Sequence, residues 1–403
     1  MKSVTRLALL LGAALSLPAT AGAQATQLSK QERTALSAVQ TAMQARDYAT
    51  AAGAITTAKS QAQSAYGHYL ASSYELQLAM QTNNRAMQAT AIDAMISSGA
   101  APASSMEELY KNKGALALAA GRLDQAEAAF GKWAELSPNN VDAMLALAEV
   151  KDDRKKVNES VTLIDRAIDA RKAAGQPVPE SWYKRGLKHA FDAKLAAPSL
   201  KFATGLVSAY PSPQNWRDAL LVYRDIGQPD PQAKLDMMRL MRSSKALSGE
   251  RDYLAMASLL SDEKLPAESH AVLQEGVSAK MVDAGKGEYK TLLANTDKRA
   301  AGDKKALAGL DKKAESGKDG QAALMAADNH FAFGDYAKAA EYYAMAKTKG
   351  GVDAGLVDTR LGMAQALGGQ RAAAETTLRG VTGPRATLAS YWLVWLANGG
   401  RTA

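Results

Sequence analysis

A serine and a lysine three residues apart, as in Ser181…Lys184 and Ser261…Lys264, could set a hydroxyl beside an amine base and so form an acylating nucleophile. The quartet has two free positions and arises by chance in a chain this rich in both residues. The S-D-N and K-T-G elements that complete such a centre are missing, so neither quartet is expected to react. General acid–base work needs converging carboxyls, whereas Glu107-Glu108 and Asp152-Asp153 are sequence neighbours that point apart on a helix. His68, His189, His270 and His330 are scattered, and none has a second histidine at helical ligand spacing. The chain has no cysteine, which removes disulfides, iron–sulfur clusters, thiolate metal sites and cysteine nucleophiles. No H-E-x-x-H, G-x-S-x-G, G-x-x-x-x-G-K-[ST] or strand-borne G-x-G-x-x-G occurs. The expectation is a non-enzyme with no catalytic residue, no metal and no cofactor.

The informative spacing is that of small and large apolar residues. With 403 residues, 47% hydrophobic and 22% charged, the chain should fold, yet it exceeds the ~250–300 residues at which a single core stops growing. It must therefore be several domains or a solenoid. Between Tyr110 and Pro138 the landmarks are Tyr110, Gly114, Gly121, Ala126, Phe130 and Pro138. Ala126, Phe130 and Trp133 return 34 residues later as Ser160, Ile164 and Ala167, and Tyr110 returns as Met144. Trp182 with Gly186 opens another unit, closed by Phe202 and Pro211, and Trp216 follows Trp182 by 34. Gly334, Tyr336, Ala339, Tyr343 and Ala346 make a further unit, followed by Leu361-Gly362, Gly369, Ala374 and Leu378; a weaker one has Asp47, Tyr48, Ala51, Ile55 and Ala58. Small residues let antiparallel helices approach, Phe130 fills the space between hairpins, Gly121 permits a tight turn and Pro138 ends the unit.

This pattern resembles the tetratricopeptide repeat, a 34-residue unit with a Trp, a Leu-Gly pair, a Tyr, then Ala, Phe and Pro. Tyr110 stands in the Trp slot, while Lys113 replaces the Leu and Ala117 the Tyr. No segment shows the sustained two-residue alternation of a sheet. The expected fold is all-α, an α-solenoid of stacked antiparallel helix pairs of the tetratricopeptide type, with room for roughly eleven hairpins. Runs 97–105 (SSGAAPASS) and 173–180 (AAGQPVPE) read as loops.

Residues 1–23 read as a signal peptide: Lys2 and Arg6 precede an eleven-residue apolar run, Leu7 to Leu17, and Ala21-Gly22-Ala23 or Ala23-Gln24-Ala25 offers small-x-small cleavage. The run is too short to span a bilayer, which takes about 20 residues. The mature protein is expected to be exported to a bacterial periplasm, without an integral membrane segment. The expected partition is a leader at 1–23, degenerate helical repeats at 24–106, clear repeats at 107–174, degenerate repeats at 175–318, and C-terminal repeats at 319–403. The last of these carries a capping helix with Tyr391, Trp392 and Trp395.

The formal charge is +8, or +6 once Lys2 and Arg6 are removed with the leader. Export and the lack of basic runs interleaved with aromatics argue against nucleic acid. The basic stretch Lys298 to Lys318, interspersed with Asp303, Asp311, Glu315 and Asp319, reads as a solvated helix face, with weak contact to an anionic surface as the other reading. Resemblance to tetratricopeptide proteins implies that first helices line a concave groove for peptides or proteins. Repeat spacing then places Lys111, Leu118, Leu145, Glu149, Tyr183, Leu187, Arg217, Leu221 and Arg224 on that inner face. The expected function is a scaffold or adaptor for proteins or peptides of the cell envelope. The alternative is an accessory superhelical component of envelope glycan machinery, handling peptidoglycan or exopolysaccharide.

Overall fold

Glycine and a bulky residue sixteen positions later recur in the helix pairs: Gly114 with Phe130, Gly186 with Phe202, Gly362 with Leu378. A Cβ on these glycines would lie 2.4, 2.5 and 2.6 Å from the facing side chain, so only hydrogen lets the two helices close on each other. The computed structural model describes residues 28–400, and among them twenty α-helices and no strand. Consecutive helices pack side by side, as an all-α solenoid requires. The leader assigned to residues 1–23 lies outside the described residues. The chain divides into two compact units, one running to Gln176 and one from Pro177. That division falls in the 173–180 loop. The 97–105 run is shorter as a loop than its composition implied: Pro102 stands just ahead of a helix that opens at Ala103, where Pro is well tolerated.

In the first unit, α1 (Lys30–Gln44) pairs with α2 (Tyr48–Gln61) and α3 (Ala65–Gln81) with α4 (Arg85–Ser97). Next, α5 (Ala103–Ala119) pairs with α6 (Leu123–Leu136) and α7 (Val141–Asp153) with α8 (Val157–Ala173). Each pair packs on the next. Phe130 and Trp133 of α6 fill the core with Ala117, Ala126, Ala143 and Val150, and half-buried Tyr110 lies against it. Gly121 turns the α5–α6 hairpin at φ +71°, and Ser160, Ile164 and Ala167 are buried as their spacing requires.

One carboxylate ties the start of this unit together. Glu32, 3% exposed, accepts from the backbone N–H of Ser29 at 2.6 Å and from those of Gln63 and Ser64 at 2.9 Å. The Ser64 hydroxyl adds a bond at 2.8 Å, and Gly67 leaves room for the carboxylate, whose oxygen would sit 2.3 Å from any Cβ there. Burial pushes the Glu32 pKa up, but the Ser64, Ser29 and Gln63 N–H groups outweigh it and bring it down to about 2. A depressed pKa contributes stability that is complete above the ordinary 4.5 and lost as pH falls through the folded value. Glu32→Gln should cost the first unit about 1–3 kcal/mol at neutral pH in urea unfolding, with the gap to wild type closing between pH 4.5 and 2. A gap unchanged at pH 2 would assign the effect to shape rather than charge.

In the second unit, α9 (Glu180–Asp192) pairs with α10 (Ala196–Ala209), and α11 (Pro213–Gly227) stacks on α10. The chain then leaves the stack. Gln228 adopts φ +41°, Pro229 and Pro231 bar continuation of the helix, and α12 (Pro231–Ser243) follows with only sparse backbone packing on either sequence neighbour. Stacking resumes with α13 (Gly249–Asp262) and α14 (Pro266–Ser278), the 30-residue α15 (Gly287–Ser316), α16 (Gln321–Ala332) paired with α17 (Tyr336–Lys349), and α18 (Ala354–Leu367) paired with α19 (Arg371–Arg379). A short 3-10 turn, Gly383–Arg385, leads into α20 (Ala386–Ala397). The detour of α12 and the length of α15 are why fewer hairpins form than the chain length allows.

Eight of the thirteen α12 residues, Ala233 and Leu235 to Met241, are buried, on every side of the helix. Such a helix must lie inside other structure. Its side chains reach α14 (Arg239 to Glu268), α16 (Arg239 over the Phe331 ring, 4.5 Å) and α18 (Asp236 to Arg360). The terminal helix does not merely cover a last repeat. It packs against α10, α12 and α18, sets Tyr391 against Trp216 and Tyr223 of α11, and bonds Asn398 to the Val207 carbonyl at 3.1 Å. The second unit thus fills its middle with α12 and joins its last helix to its first hairpin.

Candidate functional site

The residues assigned to an inner face by repeat spacing divide sharply. In the second unit Tyr183 and Leu187 are buried; Tyr183 packs edge-on to Tyr210 and against Gly205. These two side chains are core, not accessible lining. Arg217 is held by Asp252 and by the Ala246 carbonyl at 3.2 Å. Leu221 is half-buried, and Arg224 pairs with its neighbour Asp225 at 2.7 Å on the surface. The packing residues are placed as follows: Ala126, Phe130, Trp216, Ala339 and Tyr343 are buried, Trp182 and Tyr336 are half-buried, Pro138 is exposed, and Gly334 turns at φ +78°.

In the first unit none of the corresponding residues is fully buried. Lys111 on α5 is half-exposed, pairs with Glu108 at 3.2 Å and holds its ammonium 5.9 Å from the centre of the Trp133 ring. That placement preorganises a cation: α6 supplies the aromatic face and α5 the charge. Asn112 donates to the other Glu108 oxygen at 3.0 Å, fixing the carboxylate that fixes the lysine. One helix further on, α7 presents half-buried Leu145 and exposed Glu149; Leu118 of α5 is half-buried. Glu149 makes no ion pair among the described residues. The face therefore presents partly buried leucines between the Lys111–Glu108 pair and Glu149.

Sequence reasoning missed two ionic clusters. Around Glu127, Lys151 at 2.7 Å, Lys156 at 2.8 Å and Arg154 at 2.8 Å converge from α7 and the following turn. Burial raises the Glu127 pKa, but hydrogen bonds from Lys151 and Lys156 outweigh it and bring it to about 2. In the second unit Asp236, fully buried, is bonded by Arg239 at 3.0 Å, Arg360 at 3.1 Å and Arg385 at 2.8 Å. Arg239 also binds Glu268 at 2.6 Å, and Arg360 binds Asp328 at 2.9 Å, which in turn accepts from Tyr343 at 2.5 Å. Arg239, Arg360 and Arg385 are each paired with at least two carboxylates, Arg385 also with Asp230 at 3.6 Å, so every charged group in the cluster is answered. The segment Leu235 to Met241 (LDMMRLM) carried the signal: an Asp and an Arg three apart within an otherwise apolar run.

In the two Ser-x-x-Lys quartets one member of each has another partner. Lys184 pairs with Glu180 at 2.8 Å, and the Ser261 hydroxyl lies 3.4 Å from that of Ser269. His330 is buried between Asp311 (2.9 Å) and a stacked Tyr342 ring, as a packing residue. His270 borders a cleft of about 650 Å³ with Lys290, Leu293 and Asp297. Its Nδ1 lies 3.3 Å from both the Leu293 carbonyl and the Thr296 hydroxyl. Among the described residues no group of three or more His, Asp or Glu could hold a metal.

Residues 117–174 match the family model of the tetratricopeptide repeat. A search of curated proteins finds no match. Among solved structures, similarity extends to a tetratricopeptide repeat protein from Parabacteroides merdae, at 14% identity over 65% of this chain and 99% of that one, with TM-score 0.28. It extends also to PilF of Pseudomonas aeruginosa, at 14% identity over 68% and 90%, with TM-score 0.21. A third is the TPR2AB domain of yeast Sti1 in complex with pHSP90, at 11% identity over 74% and 96%, with TM-score 0.25. Likenesses this distant carry no property over to the present chain.

Proposed function

We propose that this chain, which carries tetratricopeptide repeats in an all-α solenoid, is a non-enzymatic scaffold of the bacterial periplasm that holds a protein or peptide partner on the first-helix face of its first unit. The observation that carries the reading is the contrast between units. In the first, Lys111, Leu118 and Leu145 are only partly buried and Glu149 is exposed. In the second, Tyr183, Leu187 and Arg217 are consumed by packing and an internal ion pair, and α12 fills the middle. Repeat proteins are commonly interaction scaffolds, and a face with apolar anchors between charges suits a polypeptide segment. The leader-like residues 1–23 support the periplasmic placement, and the envelope is where a partner would then be met.

The test is crosslinking in intact cells, with identification of what is captured in the periplasmic fraction. Lys111→Glu with Leu145→Asp should reduce capture at least tenfold, as loss of interface anchors of about 1–2 kcal/mol each implies, while the thermal melt stays within about 2 °C of wild type. Unchanged capture would move the site elsewhere. Retention on peptidoglycan or polysaccharide in place of a protein, or an uncleaved protein in the cytosol, would overturn the reading.

A further inference from the structure

Seven residues, or two helical turns, separate Lys298 from Lys305 and Lys305 from Lys312. Three ammonium groups therefore stand in one row about 21 Å long on α15, at 1.5 Å of rise per residue. The row faces away from what α15 packs on. Thr296 and Ala314 are buried and Leu307 is half-buried, and each lies two residues, about 200° of helix rotation, from a lysine of the row. Exposed Arg299, Lys304 and Lys313 flank it. None of these six cations makes an ion pair among the described residues. Of the carboxylates within the row, Asp303 is partly buried two residues, about 200° of rotation, from Lys305, and Asp311 is turned inward to His330 at 2.9 Å and Lys338 at 3.7 Å; exposed Asp297 and Glu315 stand near the two ends. Exposed Ala301, Gly302, Ala308 and Gly309 lie between the lysines, so the helix backbone can approach a flat surface closely.

We propose that this face of α15 docks on the surface of an anionic phospholipid bilayer. The shape chooses the partner. A straight cationic row on a convex helix meets a plane along its whole length, whereas a linear polyanion is gripped by a groove with cations on two walls. The row carries no aromatic or large aliphatic side chain, so the helix rests among headgroups without inserting. None of the described helices is long and apolar enough to cross a membrane. The attachment is electrostatic, reversible and screened by salt over about 8–10 Å. It is independent of the partner face in the first unit.

The test is cosedimentation of the mature chain with vesicles of three parts phosphatidylglycerol to seven of phosphatidylcholine, and with pure phosphatidylcholine. Binding is expected to the first alone and to weaken at least tenfold between 50 and 300 mM salt. Each lysine contributes about fivefold, so Lys298→Gln/Lys305→Gln/Lys312→Gln should lower partitioning roughly a hundredfold. The corresponding triple arginine variant, which keeps charge and helix, should retain it. Equal binding of the glutamine variant, no binding of wild type at 50 mM salt, or tighter capture by inorganic polyphosphate than by the anionic vesicles would each overturn the proposal.

Discussion

Asp236→Ala should unfold the second unit at markedly lower urea, with a loss of about 3–5 kcal/mol, the usual consequence of removing one partner from a buried ion cluster. The carboxylate is fully buried and receives Arg239, Arg360 and Arg385. Without it Arg239 keeps Glu268 and Arg360 keeps Asp328, but Arg385 is left with Asp230 at 3.6 Å. A buried guanidinium left with one long contact to a mostly exposed carboxylate is the expensive remainder. Burial pushes the Asp236 pKa up, yet Arg360, Arg239 and Arg385 together hold it below the ordinary range. The stabilisation is thus present above the ordinary carboxylate value and disappears as acid protonates the group in the folded protein. Tryptophan emission reads the transition, because Trp216, Trp392 and Trp395 are all buried in this unit. A midpoint shift worth less than about half a kcal/mol would mean that the three arginines are not held by this carboxylate.

The second large effect belongs to the first unit. Phe130→Ala should cost about 3–5 kcal/mol by leaving a cavity among Ala117, Trp133, Ala143 and Val150. Gly114→Ala should hurt for the opposite reason, because its Cβ would sit 2.4 Å from the Phe130 ring. The two errors have opposite sign in volume. The double variant should therefore lose less than the sum of the singles, with a coupling of about 1–2 kcal/mol in equilibrium unfolding. Strict additivity would refute direct contact between these positions as the source of both losses.

Much of the helix pairing was legible in the residues themselves. Gly114, Phe130, Gly186, Phe202, Gly362 and Leu378 announce where two helices close, because close approach and space filling restrict residue type severely. The turns were legible only where glycine makes them, as at Gly121 and Gly334. Arg46, Lys155, Lys194 and Lys264 adopt the same left-handed conformation with ordinary side chains, at a cost of about 1 kcal/mol each, and so left no mark. The site was less legible. A 34-residue stride assigns a position to a helix face, but exposure of that face depends on what the rest of the chain lays over it. Nothing local to Tyr183 or Leu187 reveals that they are buried. Nor does anything near Asp236 reveal partners at Arg360 and Arg385, 124 and 149 residues away.

Those long separations bear on how each half of the molecule can change over evolution. Among the described residues the first unit's main helix contacts join each hairpin to its sequence neighbours, so a duplicated or deleted pair would lengthen or shorten it without disturbing the remainder. The second has its circumference fixed, since one extra hairpin between Asp236 and Arg360 would carry the guanidinium out of reach of its carboxylate. Natural variants should accordingly differ in the number of pairs before residue 177 and keep the count after it.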